Sequence, residues 1–200
     1  MAESHKWGVF LDRDGTVTEE VGYVNHPSRL RLIPGAAEGI RLLNDAGVPV
    51  ILATNQAGVA RGYFTEDLVK EVLAKLEDLL AAQGARLDAL YYCPHHPSVG
   101  PEPYRLACDC RKPKPGMLLR GAKAFDLALE RCYVVGDKIS DAGFAHSVGA
   151  KGVMILTGYG LGEFTYQRRE WKEEPDFIAE DLVSAARWIV EDAKKAARKP

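Results

Sequence analysis

An α/β fold with an open, doubly wound parallel sheet is predicted by three features of this 200-residue sequence. Short apolar runs alternate with stretches of helical periodicity. The runs are strand-sized, as buried parallel strands require. Their C-terminal ends carry acids, amides and hydroxyls where a purely structural strand would run on into an ordinary turn.

Taken in order, "WGVFL" (7–11) is the first strand and residues near 35–46 the first helix. "VPVILAT" (48–54) is the second strand. The helix over 65–83 is the clearest, because Leu68, Val69, Val72, Leu73, Leu76, Leu79 and Leu80 recur at helical spacing. Thr65 is its expected N-cap, Glu66 and Asp67 suit its first turn, and Gly84 its C-terminal cap. "LDALYY" (87–92), a helix over 116–128, "CYVVG" (132–136), a helix over 140–147 and "KGVMIL" (151–156) continue the alternation. Residues 158–175 read as an irregular surface connection, 180–197 as a last helix, and "KKAARKP" as a solvated basic tail that frays. No repeat or long linker divides the chain, so one domain over 1–200 is expected, without a large inserted cap.

Composition narrows the function classes. Hydrophobic side chains make up 46% and charged ones 27% of the chain, enough for one sizeable core. A formal net charge of −2 provides no global field for nucleic acid or an anionic membrane. The longest apolar runs are too short to span a bilayer. "MAESHKWG" (1–8) is no secretory leader, so a reducing cytoplasm is expected, which disfavours disulfides. The expected partner is a small molecule and the expected state a monomer.

In a doubly wound sheet ligands bind beyond the carboxyl ends of the strands. The first strand ends in "DRDGT" (12–16), the second in "TNQAG" (54–58), the fourth in "GDKISD" (136–141), and the third runs into a Cys/His stretch followed by "RKPKPGM" (111–117). These convergent groups fit phosphoryl transfer to a carboxylate. Asp12 can attack a phosphate dianion only if a cation and fixed donors offset the charge. Asp12, Asp137 and the backbone carbonyl of Asp14 offer the all-oxygen ligands that Mg²⁺ prefers. Asp14 is placed to protonate the leaving oxygen and later accept a proton from water. Gly15 permits the tight turn. Thr54 and Asn55 are donors for the phosphoryl group, and Lys112 adds a point charge.

Through Asp-x-Asp-Gly-Thr, Thr-Asn, Lys and Gly-Asp-x-x-x-Asp in that order, nearly the whole chain resembles the haloacid dehalogenase (HAD) superfamily of phosphatases, which have a Rossmann-like sheet. More narrowly it is similar to the D-glycero-D-manno-heptose 1,7-bisphosphate 7-phosphatase family, through "GYV" (22–24), "TNQAGVARGYF" (54–64), the Cys/His stretch and "GDK". The resemblance implies Asp12 as nucleophile and Asp14 as acid/base. It implies Mg²⁺ on Asp12, Asp14 and Asp137, with Thr54 and Lys112 stabilising the phosphoryl group. Substrate contacts are implied for Glu20, Val21, Gly22, Tyr23, Thr54, Asn55, Gln56, Ala57, Arg111 and Lys138, and Arg61 in "VARGYF" is expected near the substrate loop. Arg111 suits the retained phosphate, since a guanidinium grips phosphate at two points. Ala57 stands where the family often has Ser, leaving only a backbone donor. The implied reaction is hydrolysis of the C7 phosphate of a heptose bisphosphate in a route to nucleotide-activated heptose.

"CPHHPSVGPEPYRLACDC" (93–110) leaves disulfide, metal site and nucleophile open on its own. Cys93, His95, Cys108 and Cys110 form a ligand set suited to tetrahedral Zn²⁺, and the family resemblance strengthens that reading. With four protein ligands, such zinc is structural, stapling a proline-rich loop and placing Arg111 and Lys112. His96 is an alternative to His95, and Cys132 is expected to be a small buried apolar residue. The alternative substrate is histidinol phosphate, since histidinol-phosphate phosphatases resemble the chain in Asp-x-Asp and a similar zinc loop. A glycosyltransferase using Asp-x-Asp leaves Thr54, Asn55 and Lys112 without a role; a non-catalytic zinc-stabilised interaction module is the third alternative, which an absence of turnover on any phosphate ester would favour.

Overall fold

The protein is described over residues 6–197 by a computed structural model. Six parallel strands form one sheet: β1 (Val9–Leu11), β2 (Val50–Asn55), β3 (Ala89–Cys93), β4 (Tyr133–Gly136), β5 (Lys151–Ile155) and β6 (Phe177–Ala179), in the order β3-β2-β1-β4-β5-β6. The order reverses direction at β1, so the crevice beyond β1 and β4 is the topological switch point at which such sheets bind ligands.

Side-chain alternation along each strand feeds two cores. Val9, Leu11, Val50, Leu52, Tyr133 and Val135 join the core that contains Ile40 and Leu43 of α1 (Ala36–Asp45), Val72 and Leu76 of α2 (Glu66–Ala81), and Ala186 and Ile189 of α6 (Leu182–Ala197). Phe10, Ile51, Ala53 and Val134 join the core that contains Met117 and Leu118 of α3 (Gly116–Phe125) and Phe144 of α4 (Ile139–His146). Helices therefore cover both faces, as the apolar runs required. Thr65 caps α2 as expected, its Oγ1 accepting from Leu68 N at 3.2 Å.

Three expectations are corrected. The sixth strand was not anticipated: "FIA" is too short to show a period, and its place is set by pairing with β5. Residues 160–170, read as irregular, form consecutive helical turns, beginning with α5 (Gly160–Gly162). Helix α3 ends at Phe125 and not at 128, because Asp126 adopts a left-handed conformation with φ 55°. Of the expected fraying tail, residues 194–197 close α6 and 198–200 lie outside the described residues. No helix among the described residues is long and apolar enough to cross a membrane.

Candidate active site

The turn after β1 is built by its own backbone. The carbonyl of Arg13 accepts from Val17 N and Thr18 N, both at 2.9 Å, which folds residues 13–18 back beneath the strand end. Gly15 has φ 79°, and a Cβ there would lie 2.0 Å from Asp137 Oδ2. Only glycine lets the β1 turn lie against the acid that follows β4.

Asp12, Asp137 and Asp141 each bring a carboxylate oxygen within 4.8 Å of the others. Asp137 Oδ2 accepts from Tyr159 N at 2.8 Å, but Asp137 Oδ1 and Asp141 Oδ2 are buried with no partner. Burial pushes the Asp137 carboxyl up to about 7; the Tyr159 N–H and Lys138 oppose this, while Asp12 and Asp141 add to it. A divalent cation would satisfy the orphaned oxygen and neutralise the crowded acids, so these residues fit Mg²⁺. The Asp14 carboxylate stands outside this trio.

Lys112 holds the opposite charge. Its Nζ lies 3.0 Å from Asp12 Oδ1 and 2.7 Å from Asp141 Oδ1. Burial alone would lower its pKa, but the two carboxylates outweigh it and keep the ammonium protonated. Asp141, the last acid of Gly-Asp-x-x-x-Asp, is thus the buried counter-ion of Lys112.

Asn55 is engaged differently from its expected use as a phosphoryl donor. Its Nδ2 donates to Lys112 O at 3.2 Å and its Oδ1 accepts from Lys112 N at 3.0 Å, clamping the Lys112 backbone across to the end of β2. Thr54 Oγ1 accepts from Gln56 Nε2 at 3.0 Å, which leaves the hydroxyl proton free to point elsewhere.

The cleft over these groups, about 320 Å³, is lined by Asp12, Asp14, Glu20, Gly22, Tyr23, Thr54, Asn55, Ala57, Arg111, Lys112, Lys138, Ser140, Asp141 and Tyr159. Three expected substrate residues are not brought into it. Val21 packs against the core, Gln56 turns its amide inward to Thr54 and Asp14, and Arg61 extends outward with Nη2 3.3 Å from His96 Nε2. Tyr159 and Ser140 were missed. Tyr159 lies in a segment read as a connection, and its ring sits 4.4 Å from Lys138 Nζ. Arg13 was missed too: it is 2% exposed and forms a two-point ion pair with Asp14.

Beside the cleft, Cys93, His95, Cys108 and Cys110 bring one donor atom each within 4.8 Å of the others. The separations are 3.5 Å for Cys93–Cys108, 3.2 Å for Cys108–Cys110, and 3.7 and 3.5 Å from His95 Nδ1 to Cys93 and Cys110. Tetrahedral Zn²⁺ with bonds near 2.3 Å needs edges of about 3.7 Å, so the site fits a zinc ion after slight expansion. Burial first, and next a neighbouring thiol (Cys110 beside Cys93, Cys108 beside Cys110), raises the pKa of Cys93 and Cys110, a penalty that a bound dication would remove. His96 faces Arg61 and Ser98, outside the cluster, and Cys132 is buried apart with its thiol on Ala128 O. Cys93 is in register with Asn55, and Arg111 Nη1 donates to His95 O at 3.2 Å, so the cysteine loop and the cleft share one scaffold.

The HAD-hydrolase-like family model matches residues 109–185. A D-glycero-D-manno-heptose-1,7-bisphosphate 7-phosphatase from Thermosynechococcus vestitus is 45% identical over 187 residues, covering 90% of this chain and 94% of that protein. The Escherichia coli K12 D-glycero-beta-D-manno-heptose-1,7-bisphosphate 7-phosphatase is 39% identical over 165 residues, covering 82% and 86%. The crystal structure of D,D-heptose 1.7-bisphosphate phosphatase from B. bronchiseptica, complexed with magnesium and phosphate, superposes with a TM-score of 0.80 at 32% identity, covering 94% of this chain and 99% of that one. Sequence, fold and strand-end chemistry agree, and the chain belongs to the D-glycero-D-manno-heptose 1,7-bisphosphate 7-phosphatase family of HAD-like hydrolases.

Proposed function

We propose that this chain hydrolyses the C7 phosphate of D-glycero-D-manno-heptose 1,7-bisphosphate to the 1-phosphate, with Mg²⁺, through a phosphorylated Asp12. The observation that carries the reading is the Asp12 carboxylate, open to the cleft, 3.0 Å from a buried lysine and grouped with the orphaned oxygen of Asp137. The relatives' names favour the heptose over histidinol phosphate.

In the first half-reaction an Asp12 oxygen forms a bond to phosphorus as the bond from phosphorus to the C7 oxygen breaks. Asp14 gives its proton to that leaving oxygen. In the second, Asp14 takes a proton from water, the hydroxide oxygen bonds to phosphorus, and the Asp12 carboxylate is released with inorganic phosphate. Lys112 and the Thr54 hydroxyl stabilise the charge on the transferring oxygens. Asp12, Asp137 and the Asp14 carbonyl would hold Mg²⁺, which would supply the charge neutralisation that lets one anion attack another. Arg111, at the cleft wall, receives the phosphate that is kept, while Glu20, Gly22, Tyr23, Ala57 and Lys138 surround the sugar.

Cys93, His95, Cys108 and Cys110 would hold a structural zinc that staples the loop carrying Arg111. Its thiolates suit a reducing cytoplasm. The test is phosphate release with Mg²⁺ from both anomers of heptose 1,7-bisphosphate and from histidinol phosphate, with Asp12→Asn as the blank. Preference for a heptose anomer is expected. Preference for histidinol phosphate, or full turnover by Asp12→Asn, overturns the reading.

A further inference from the structure

We propose that Arg13, outside the cleft, is the positioning residue for the acid/base Asp14, holding its carboxylate in a fixed plane with the help of Gln56. The inference rests on the assignment of Asp14 as acid/base. Arg13 Nε donates to Asp14 Oδ1 at 2.9 Å and Nη2 to Oδ2 at 2.7 Å. Gln56 Nε2 adds a third bond to Oδ2 at 3.1 Å. A planar fork on both oxygens stops rotation of the carboxylate, which a point charge cannot do.

Two further observations separate this from an ordinary ion pair. Burying a guanidinium is costly, and Arg13 is only 2% exposed. Among the described residues, its guanidinium hydrogen bonds both go to Asp14. The Arg13 backbone N also donates to Asp12 Oδ1 at 2.8 Å. One residue therefore grips the nucleophile by its main chain and the acid/base by its side chain, fixing the two carboxylates relative to each other. Asp14 remains 18% exposed on its side chain and lines the cleft.

Arg13 does not line the cleft, and a side-chain variant keeps its backbone N–H on Asp12, so loss of the guanidinium acts through Asp14. The first half-reaction needs the Asp14 proton when the leaving group is a sugar alkoxide and scarcely needs it when the leaving group is p-nitrophenolate. The comparison is kcat/KM, which reports transfer to Asp12, for heptose 1,7-bisphosphate and for p-nitrophenyl phosphate. Arg13→Met is expected to lower the first by about 10²-fold, the loss typical of a misplaced catalytic group, and the second by less than about fivefold. Arg13→Lys falls between, since it restores charge without the fork. Gln56→Met shows the same pattern more weakly, and any effect it exerts through Thr54 lowers both substrates alike. If Arg13→Met does not fold, as thermal melting will report, Arg13→Lys and Gln56→Met carry the comparison. Equal losses on both substrates by these variants, with Asp14→Asn still selective for the alkoxide substrate, overturn the proposal alone. Equal losses by Asp14→Asn overturn the acid/base assignment and the proposal with it.

Discussion

Gly15→Ala tests how closely the β1 turn is fitted to the acid after β4. The new Cβ would stand 2.0 Å from Asp137 Oδ2 and 2.5 Å from Asp137 Cγ. Moving the oxygen from 2.0 to 3.0 Å, still a tight contact, requires a retreat of about 1 Å. The carboxylate has nowhere to retreat, because Tyr159 N donates to Oδ2 at 2.8 Å and Gly158 packs so closely that its own Cβ would lie 2.3 Å from the same oxygen. A displacement of about 1 Å in a catalytic group costs on the order of 10²-fold in rate. The positive φ of 79° adds about 1 kcal/mol of backbone strain for alanine. Gly47→Ala isolates that second cost, since Gly47 has φ 72° and open space around the Cβ position. The assay is turnover on heptose 1,7-bisphosphate against Mg²⁺ concentration, with melting temperatures for both variants. Each variant should lose about 2–4 °C per kcal/mol of strain, whereas only Gly15→Ala should lose about 10²-fold in kcat and require at least about tenfold more Mg²⁺. A Gly15→Ala protein with the turnover and Mg²⁺ response of Gly47→Ala would show that the contact with Asp137 does not set the metal site.

Cys108→Ser should bring zinc content well below one ion per chain by metal analysis and lower both melting temperature and activity, because Arg111 hangs from the His95 carbonyl; an unchanged zinc content would contradict the ligand assignment. Arg111→Lys should reduce kcat/KM for the bisphosphate by about 10- to 100-fold with little effect on p-nitrophenyl phosphate, and equal losses would remove Arg111 from recognition of the retained phosphate. His146, at the end of α4, has Nδ1 2.6 Å from Glu173 Oε2 and Nε2 2.9 Å from Asp176 Oδ2. Burial lowers its pKa, but the hydrogen bonds its ring donates to Asp176 and Glu173 outweigh it, so the folded value lies above the ordinary 6.5. The pair's stabilisation is therefore complete below pH 6.5 and is lost as pH rises through the folded value. His146→Gln should destabilise by about 1 kcal/mol at pH 5.5 and by less at pH 9 in denaturant titrations; a cost independent of pH would rule the clasp out.

Strand-end chemistry was legible from sequence because a parallel sheet leaves the C-terminal ends of its strands on one edge, wherever the helices between them run. Asp12, Thr54, Lys112 and Asp137 were legible that way, and Cys93, His95, Cys108 and Cys110 from ligand type and spacing together with the family resemblance. The orientation of neighbouring side chains was not legible. Asn55 and Gln56 follow Thr54 directly, yet one clamps Lys112, 57 residues on, and the other bonds Asp14, 42 residues back. Arg13, between two acids in a turn, had the pattern of a solvated residue until its burial against Asp14 was seen.

The sequence by itself determined the α/β class and five of the six strands, and with the family resemblance it pointed to Asp12, Asp137 and the Cys93, His95, Cys108 and Cys110 set as candidate metal ligands. The class and the strands follow from periodicity and residue type, which are local. Tertiary structure alone decided that β6 completes the sheet, that Arg61 leaves the cleft while Tyr159 lines it, and that a buried Arg13 grips Asp14 at two points. Those depend on which distant segments pack together, and packing at contact distance is a property of the whole core.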